Sequence, residues 1–399
     1  MAPTPIFIFG IARAGTNLIA RMLDAHPQVA IALDPLMPLF KHFRNAVVRQ
    51  TAPAAIASRF DPASSFQDFY GDADGPPLLD LMLAADLDLP LDQDELAGLR
   101  QSIAERASLE SRDLPARLAR IEGATYAGLV ANALAIVADM LGGSAVRYAG
   151  VKEVWTIEFI PALARAFPAA RFFVIERDPR AILASVSAMA RRDPSQAAHA
   201  ISYLRHWRKN VVLARHFARA PELAGRLDLI KYEQLADRPK EGVDAICRTL
   251  ELPFDPAMLA LEEAIDGVTG GRWQGNSSYH TKSGRITDAS IERWRKELPP
   301  AAIAAVDFYC GPEMQLAGYT VTGELAGSAE VVRYTAAAGA EPGSWRSDAG
   351  DLVVDLGLEA LRHHLLAGPG DIPPELARRC FLLPWVAGEI VAVRRSLAR

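Results

Sequence analysis

The feature that most constrains this chain is an apolar run, Ile6-Phe7-Ile8-Phe9, that leads straight into Gly10-Ile11-Ala12-Arg13-Ala14-Gly15-Thr16-Asn17. A short apolar run bounded by glycine reads as a buried strand. The spacing that follows reads as a helix from about Thr16 to Ala25, ended by His26-Pro27. A strand that turns through glycines into a helix gathers backbone N–H groups at the positive end of the helix dipole, which suits a phosphate or sulfate. It also commits the strand to a sheet, because so apolar a segment must be covered on both faces.

The same alternation recurs downstream. Arg171-Phe172-Phe173-Val174-Ile175-Glu176 reads as a second strand, and Asp178-Pro179 is the expected cap and first turn of a helix through Met189. Residues 226–231 read as a third strand, followed by a helix from near Pro239. Strands alternating with helices predict an α/β fold of three layers, a central parallel sheet covered by helices, with ligands at the carboxyl ends of the strands. The stretch 53–94 is acidic and proline-punctuated and reads as irregular loops and short helices, while 36–145 as a whole carries no motif. Residues 323–350 are rich in Gly, Ala, Ser and Glu and read as a linker. Beyond them, 352–366 and 375–397 have helical spacing. The expected organisation is a main domain over 1–322, with acceptor-binding insertions in about 36–145, then the linker and a small C-terminal helical appendage over 351–399.

Of 399 residues, 43 are Lys or Arg and 48 are Asp or Glu, for a formal net charge of -5. That balance argues against a protein built to coat nucleic acid or an anionic membrane. Three well-separated cysteines, Cys247, Cys310 and Cys380, make neither a disulfide framework nor a CxxC metal site. No window supplies the roughly 18 uninterrupted apolar residues of a membrane span, and the first residues lack the basic start of a signal peptide. A cytoplasmic protein with no resident metal and no nucleic-acid partner is the expectation.

The glycine turn nearly fits GxxxxGK[ST], but Thr16 stands where that pattern needs a lysine, and the positive charge has moved to Arg13 inside the loop. A second anion site is suggested by Arg177 at a strand end and Ser185 eight residues later, a fork and a hydroxyl that together suit a phosphate monoester. With these two motifs in this order, the chain resembles the sulfotransferases that use 3′-phosphoadenosine 5′-phosphosulfate (PAPS). The continuation Leu18-Ile-Ala-Arg-Met-Leu-Asp24-Ala-His26-Pro27-Gln-Val29 is most similar to their tyrosylprotein-type and bacterial members. Lys231-Tyr232-Glu233-Gln234-Leu235 resembles a further motif whose tyrosine lies near the adenine, and Ser283-Gly284-Arg285 a basic loop that closes on the nucleotide. Two departures stand out: Ala14 and Asn17 replace hydroxyl residues of the family loop.

The resemblance implies a P-loop-like fold and PAPS as cosubstrate. It implies cofactor contacts from Gly10, Arg13, Ala14, Gly15, Thr16, Asn17 and Leu18, from Arg177 and Ser185, from Tyr232, and from Lys282 or Arg285. Arg13 would stabilise the leaving phosphate. Counting from it brings the base onto Asp34, with Glu153 in Gly150-Val151-Lys152-Glu153 as the rival; Lys152 is a second cation for the sulfate. The acceptor, whose hydroxyl or amine takes the sulfuryl group, stays open among peptide, carbohydrate, lipid and small metabolite. The helical tail reads as a lid, a homodimer contact or a docking surface. The alternatives are a P-loop kinase or NTPase and a nucleotide-binding scaffold that has lost turnover.

Overall fold

A computed structural model describes residues 2–71, 73–142, 145–196, 199–275, 286–321, 328–338, 352–368 and 372–397. The chain forms two compact units: Met1–Phe66, Asp80–Glu176 and His216–Asp288 make the first, and Gln67–Leu79, Arg177–Arg215 and Ala289–Arg399 the second.

The first unit is built on a parallel sheet of β1 (Thr4–Gly10), β2 (Val29–Leu33), β3 (Tyr148–Val154), β4 (Arg171–Glu176) and β5 (Leu227–Lys231), in the order β2-β3-β1-β4-β5. The fold is the expected α/β arrangement of three layers with the sheet in the middle. Ile6, Phe7, Ile8 and Phe9 are at most 1% exposed, and Phe7 stacks on Phe172 of the neighbouring strand at 5.7 Å. Gly150 lets β3 close on β1, since a β-carbon there would lie 2.2 Å from the Ile6 carbonyl oxygen. The chain leaves β1 for β2 and β3 on one side and passes to β4 and β5 on the other. The crevice of such a sheet therefore opens at the carboxyl end of β1.

Two strands were not legible in the sequence. β2 is only Val-Ala-Ile-Ala-Leu, and β3 carries Lys152 and Glu153, both buried, where periodicity expects apolar residues. The helix Thr16–Asp24 buries Ile19, Ala20, Met22 and Leu23, and Asp24 Oδ1 accepts a hydrogen bond from Ile31 N at 2.9 Å, which ties the helix end to β2. His26 has a structural place: its Nδ1 accepts from Gln28 N, so the ring proton sits on Nε2, 3.1 Å from the Pro253 carbonyl oxygen.

The second unit is helical. Pro179–Arg192 starts as expected, with Asp178 accepting from Arg180 N at 2.8 Å. Of the stretch read as a linker, Ser328–Ala338 is a helix. The tail forms Leu352–Ala367, Pro374–Phe381 and Pro384–Leu397. What reads as one helix over 375–397 is two, because Leu382 takes φ 62° and Pro384 begins the next helix. Phe381, Leu382, Val386 and Ile390 are fully enclosed, so the tail belongs to the core of this unit. Cys247, Cys310 and Cys380 are buried and unpaired.

Candidate functional site

The site is assembled where β1, β2 and β3 end. Left-handed backbone is rare outside glycine. Yet Arg13 (φ 70°), Asp34 (φ 49°) and Trp155 (φ 72°), three of the six non-glycine residues with positive φ among the described residues, lie just past these three strands. Such conformations cost on the order of 1–3 kcal/mol each and persist where surrounding bonds impose them. Those bonds are visible: Asp34 N donates to the Lys152 carbonyl oxygen at 2.7 Å, and Trp155 N to that of Gly10 at 3.1 Å.

In the loop after β1, Ala14 N closes a turn on the Ile11 carbonyl oxygen, and Leu18 N and Ile19 N begin the helix on that of Gly15. Gly15 is obligatory. Its φ is 99°, and a β-carbon there would lie 2.3 Å from the Tyr232 ring, which covers the loop. The first helical turn carries no acidic residue to compete for an incoming anion. Arg13 and Asn17 are partly exposed, whereas Ala14 is 1% exposed, its methyl packed inside. The loop is thus a strained, glycine-dependent cradle with one arginine, a fit for an anionic phosphosulfate.

Behind the loop sits a charged cluster. Asp34 Oδ2 is ion-paired with Lys152 Nζ, and Arg106 from the helix Gln93–Ala107 approaches it at 3.3 Å while donating from Nε to the Asp34 carbonyl oxygen at 3.2 Å. Asp34 is 5% and Lys152 2% exposed. Asp34 Oδ1 is buried and has no hydrogen-bond partner among the described residues. Glu153 is also buried, its Oε1 accepting from Leu36 N at 2.6 Å. Burial first, and the Asp34 carboxylate second, push the Glu153 carboxyl well above its ordinary range. Burial likewise raises Glu110, which feels Lys152, Asp34, Arg21 and Arg106. Sequence reasoning missed Arg106, Glu110 and Trp155: the first two lie in the stretch without motifs, and Arg106 is 72 positions from Asp34.

Arg177 and Ser185 belong to the second unit, both buried. Arg177 donates to the Ser290 carbonyl oxygen at 3.1 Å, and its own carbonyl oxygen accepts from Trp207 Nε1 at 2.8 Å. The helix that carries Ser185 is anchored by Arg180, which pairs with Asp178 and Asp307 and lies 4.1 Å from the centre of the Trp294 ring. Lys282 and Arg285 lie outside the described residues.

Residues 5–256 match the family model described as Sulfotransferase family. Carbohydrate sulfotransferase 3 of Rattus norvegicus is 28% identical over 192 residues, which cover 44% of this chain and 39% of that protein. Protein-tyrosine sulfotransferase 1 of Danio rerio is 30% identical over 133 residues, covering 32% of this chain and 36% of that one. The chain thus spans well under half the length of these two relatives. Among solved structures, the sulfotransferase domain from the curacin biosynthetic pathway has a TM-score of 0.46 and 16% identity, covering 80% of this chain and 99% of that one.

Proposed function

The chain belongs to the sulfotransferase family, and on that premise we propose that it moves the sulfuryl group of PAPS to a hydroxyl or amine of an acceptor. The observation that carries this reading is the left-handed backbone of Arg13 and Asp34 just past β1 and β2, with the Asp34 carboxylate ion-paired to Lys152 of the strand between them. The loop from Gly10 to Leu18, with the N–H groups of Gly15, Thr16 and Asn17 and the dipole of the helix Thr16–Asp24, would hold the phosphosulfate. Arg13 would support charge on the departing phosphate oxygen. Tyr232 would lie by the adenine, while Arg177, Ser185 and Lys282 or Arg285 would serve the 3′-phosphate. Asp34 would take the acceptor proton on its unpartnered Oδ1 as the new bond to sulfur forms and the bond from sulfur to phosphate breaks, leaving adenosine 3′,5′-bisphosphate. Lys152 and Arg106 hold Asp34 in place.

The acceptor pocket would come from residues 36–145, which already supply Arg106. Relatives named for carbohydrates and for protein tyrosine make an oligosaccharide and a tyrosine peptide the first acceptors to try. No helix among the described residues is long and apolar enough to cross a membrane. A calorimetric titration tests the nucleotide choice. Adenosine 3′,5′-bisphosphate should bind in the micromolar range without magnesium and ATP poorly; the opposite preference supports a kinase or NTPase instead. Arg13→Ala should lower the transfer rate by about 10²–10³-fold. An unchanged rate removes Arg13 from the mechanism, and no transfer by the unaltered protein to either acceptor favours a scaffold.

A further inference from the structure

Asp34 and Glu153 compete for the role of base in the sequence, yet the structure surrounds them differently. Asp34 holds the cations, Lys152 and Arg106. Glu153, 1% exposed, has no ion-pair partner among the described residues, and its Oε2 is buried without a hydrogen-bond partner. Successive residues of β3 grip the turn from its two sides. The Lys152 carbonyl oxygen accepts from Asp34 N at 2.7 Å, and Glu153 Oε1 accepts from Leu36 N at 2.6 Å.

We propose that Glu153 is a positioning residue rather than a second base: its Oε1 pins the Asp34-Pro35-Leu36 turn, and its Oε2 keeps a proton beside Asp34. This rests on Asp34 as the base of the proposed transfer. A carboxylate with no ion pair of its own, enclosed and near Asp34, has only the Leu36 N–H and the cations that Asp34 already holds to set against its burial, whereas a carboxylic acid offers a C=O to Leu36 N and an O–H toward its surroundings. The direction in which burial and Asp34 push its titration agrees. Groups bearing on it from the packed elements are Asp34 past β2, Lys152 on β3, and Arg106 on the helix Gln93–Ala107. Left-handed Asp34 needs that grip, since a carboxylate displaced by about 1 Å can lose roughly 100-fold in rate.

Gln resembles a protonated glutamate, with one C=O to accept and an NH2 that donates in place of the O–H, in nearly the same shape. In the full chain, Glu153→Gln should keep kcat within about threefold, while Glu153→Ala and Glu153→Asp, which release Leu36 N, should lose about 10- to 100-fold. The calorimetric affinity for adenosine 3′,5′-bisphosphate should not change in any of them. Infrared spectroscopy on protein with isotope-labelled glutamate gives a readout that needs no acceptor: at neutral pH a protonated-carboxyl band should vanish in the difference between the unaltered protein and Glu153→Gln. Absence of that band overturns the proposal, as does a Glu153→Gln variant as inactive as Asp34→Asn. Failure of the unaltered protein to transfer sulfuryl from PAPS to a tyrosine peptide or an oligosaccharide sinks the transfer reading alone, and the infrared band still decides the state of Glu153.

Discussion

The molecule contains two buried groupings of arginines, lysines and carboxylates that look alike in composition and behave in opposite ways. In the second unit, Arg208 and Arg362 bracket Glu359 at 2.6 and 2.9 Å, Arg362 also pairs with Glu313, and Arg205 meets Asp355 at 2.7 Å. Arg208, Arg362, Glu313 and Glu359 are all 0% exposed. Burial alone would raise the Glu359 carboxyl, but Arg208, Arg362 and Arg205 outweigh it and hold it at about 2. In the first unit the balance falls the other way: burial wins at Glu153 and Glu110, and Asp34 and Glu153 each keep an oxygen without a partner. Buried atoms without a hydrogen-bond partner occur in both, Glu313 Oε1 and Arg205 Nη2 among them, so ion pairing and backbone separate the two. Where each of Glu313, Asp355 and Glu359 is ion-paired to arginine, the network is closed and is architecture. Where Glu153 has no ion pair among the described residues and the backbone is strained, the grouping is open, a place prepared for something else to complete it.

The sharpest way to break this contrast is Asp34→Asn. General-base removal should cost about 10²–10⁴ in kcat, and the unfolding midpoint should fall less than for the corresponding change in the closed network. The reason is specific. An amide in place of Asp34 still offers Lys152 and Arg106 an oxygen, and removing the Asp34 charge lifts the second of the causes, after burial, that raise Glu153. Paired rate and melting measurements check this; an Asp34→Asn protein that melts early yet turns over normally erases the distinction between the two groupings.

The second test is Glu359→Gln, which leaves three buried arginines short of a carboxylate and should destabilise by about 3–5 kcal/mol without changing turnover of the molecules still folded. Its pH signature follows from the sign of the shift. Glu359 is depressed in the folded protein, so its contribution is fully present above about 4.5 and is lost as pH falls towards about 2. Glu153 is raised, so the folded state binds more protons than the unfolded one, and stability declines as pH rises from 4.5. Glu359→Gln should therefore flatten the acid limb of a stability-against-pH curve, and Glu153→Gln should raise the melting temperature at neutral pH. Melting curves across pH that move together in both variants would show the groupings to be of one kind.

What the sequence disclosed follows the same divide. The strand, glycine turn and helix around Gly10 are local, and periodicity exposes them. Asp34 was reached by counting from Arg13 within a resemblance, and its environment was hidden because Lys152 is 118 positions away and Arg106 lies in a stretch with no motif. β3 is hidden because its buried lysine and glutamate break the apolar pattern that marks an interior strand. The closed network was illegible too, since Arg208 and Glu359 are 151 positions apart and appear in sequence as ordinary charges on helices.

Arg106 offers the smallest and most discriminating effect. It is the one member of the open grouping that comes from residues 36–145 and ion-pairs with Asp34, and its side chain is 28% exposed, so solvent screens much of its attraction for the carboxylate 3.3 Å away. Lys152, enclosed and in contact with the same Oδ2, carries most of that task. Arg106→Ala should then reduce kcat only about three- to tenfold, in keeping with a pair whose cation is partly exposed and worth ~1 kcal/mol, and salt should shrink the difference between variant and unaltered protein. The effect on KM for the acceptor distinguishes the two roles open to this arginine. A change confined to kcat marks it as a support for Asp34, whereas a rise in KM at constant kcat means that the acceptor itself, on binding, takes Arg106 as its partner and closes the network that the protein alone leaves open.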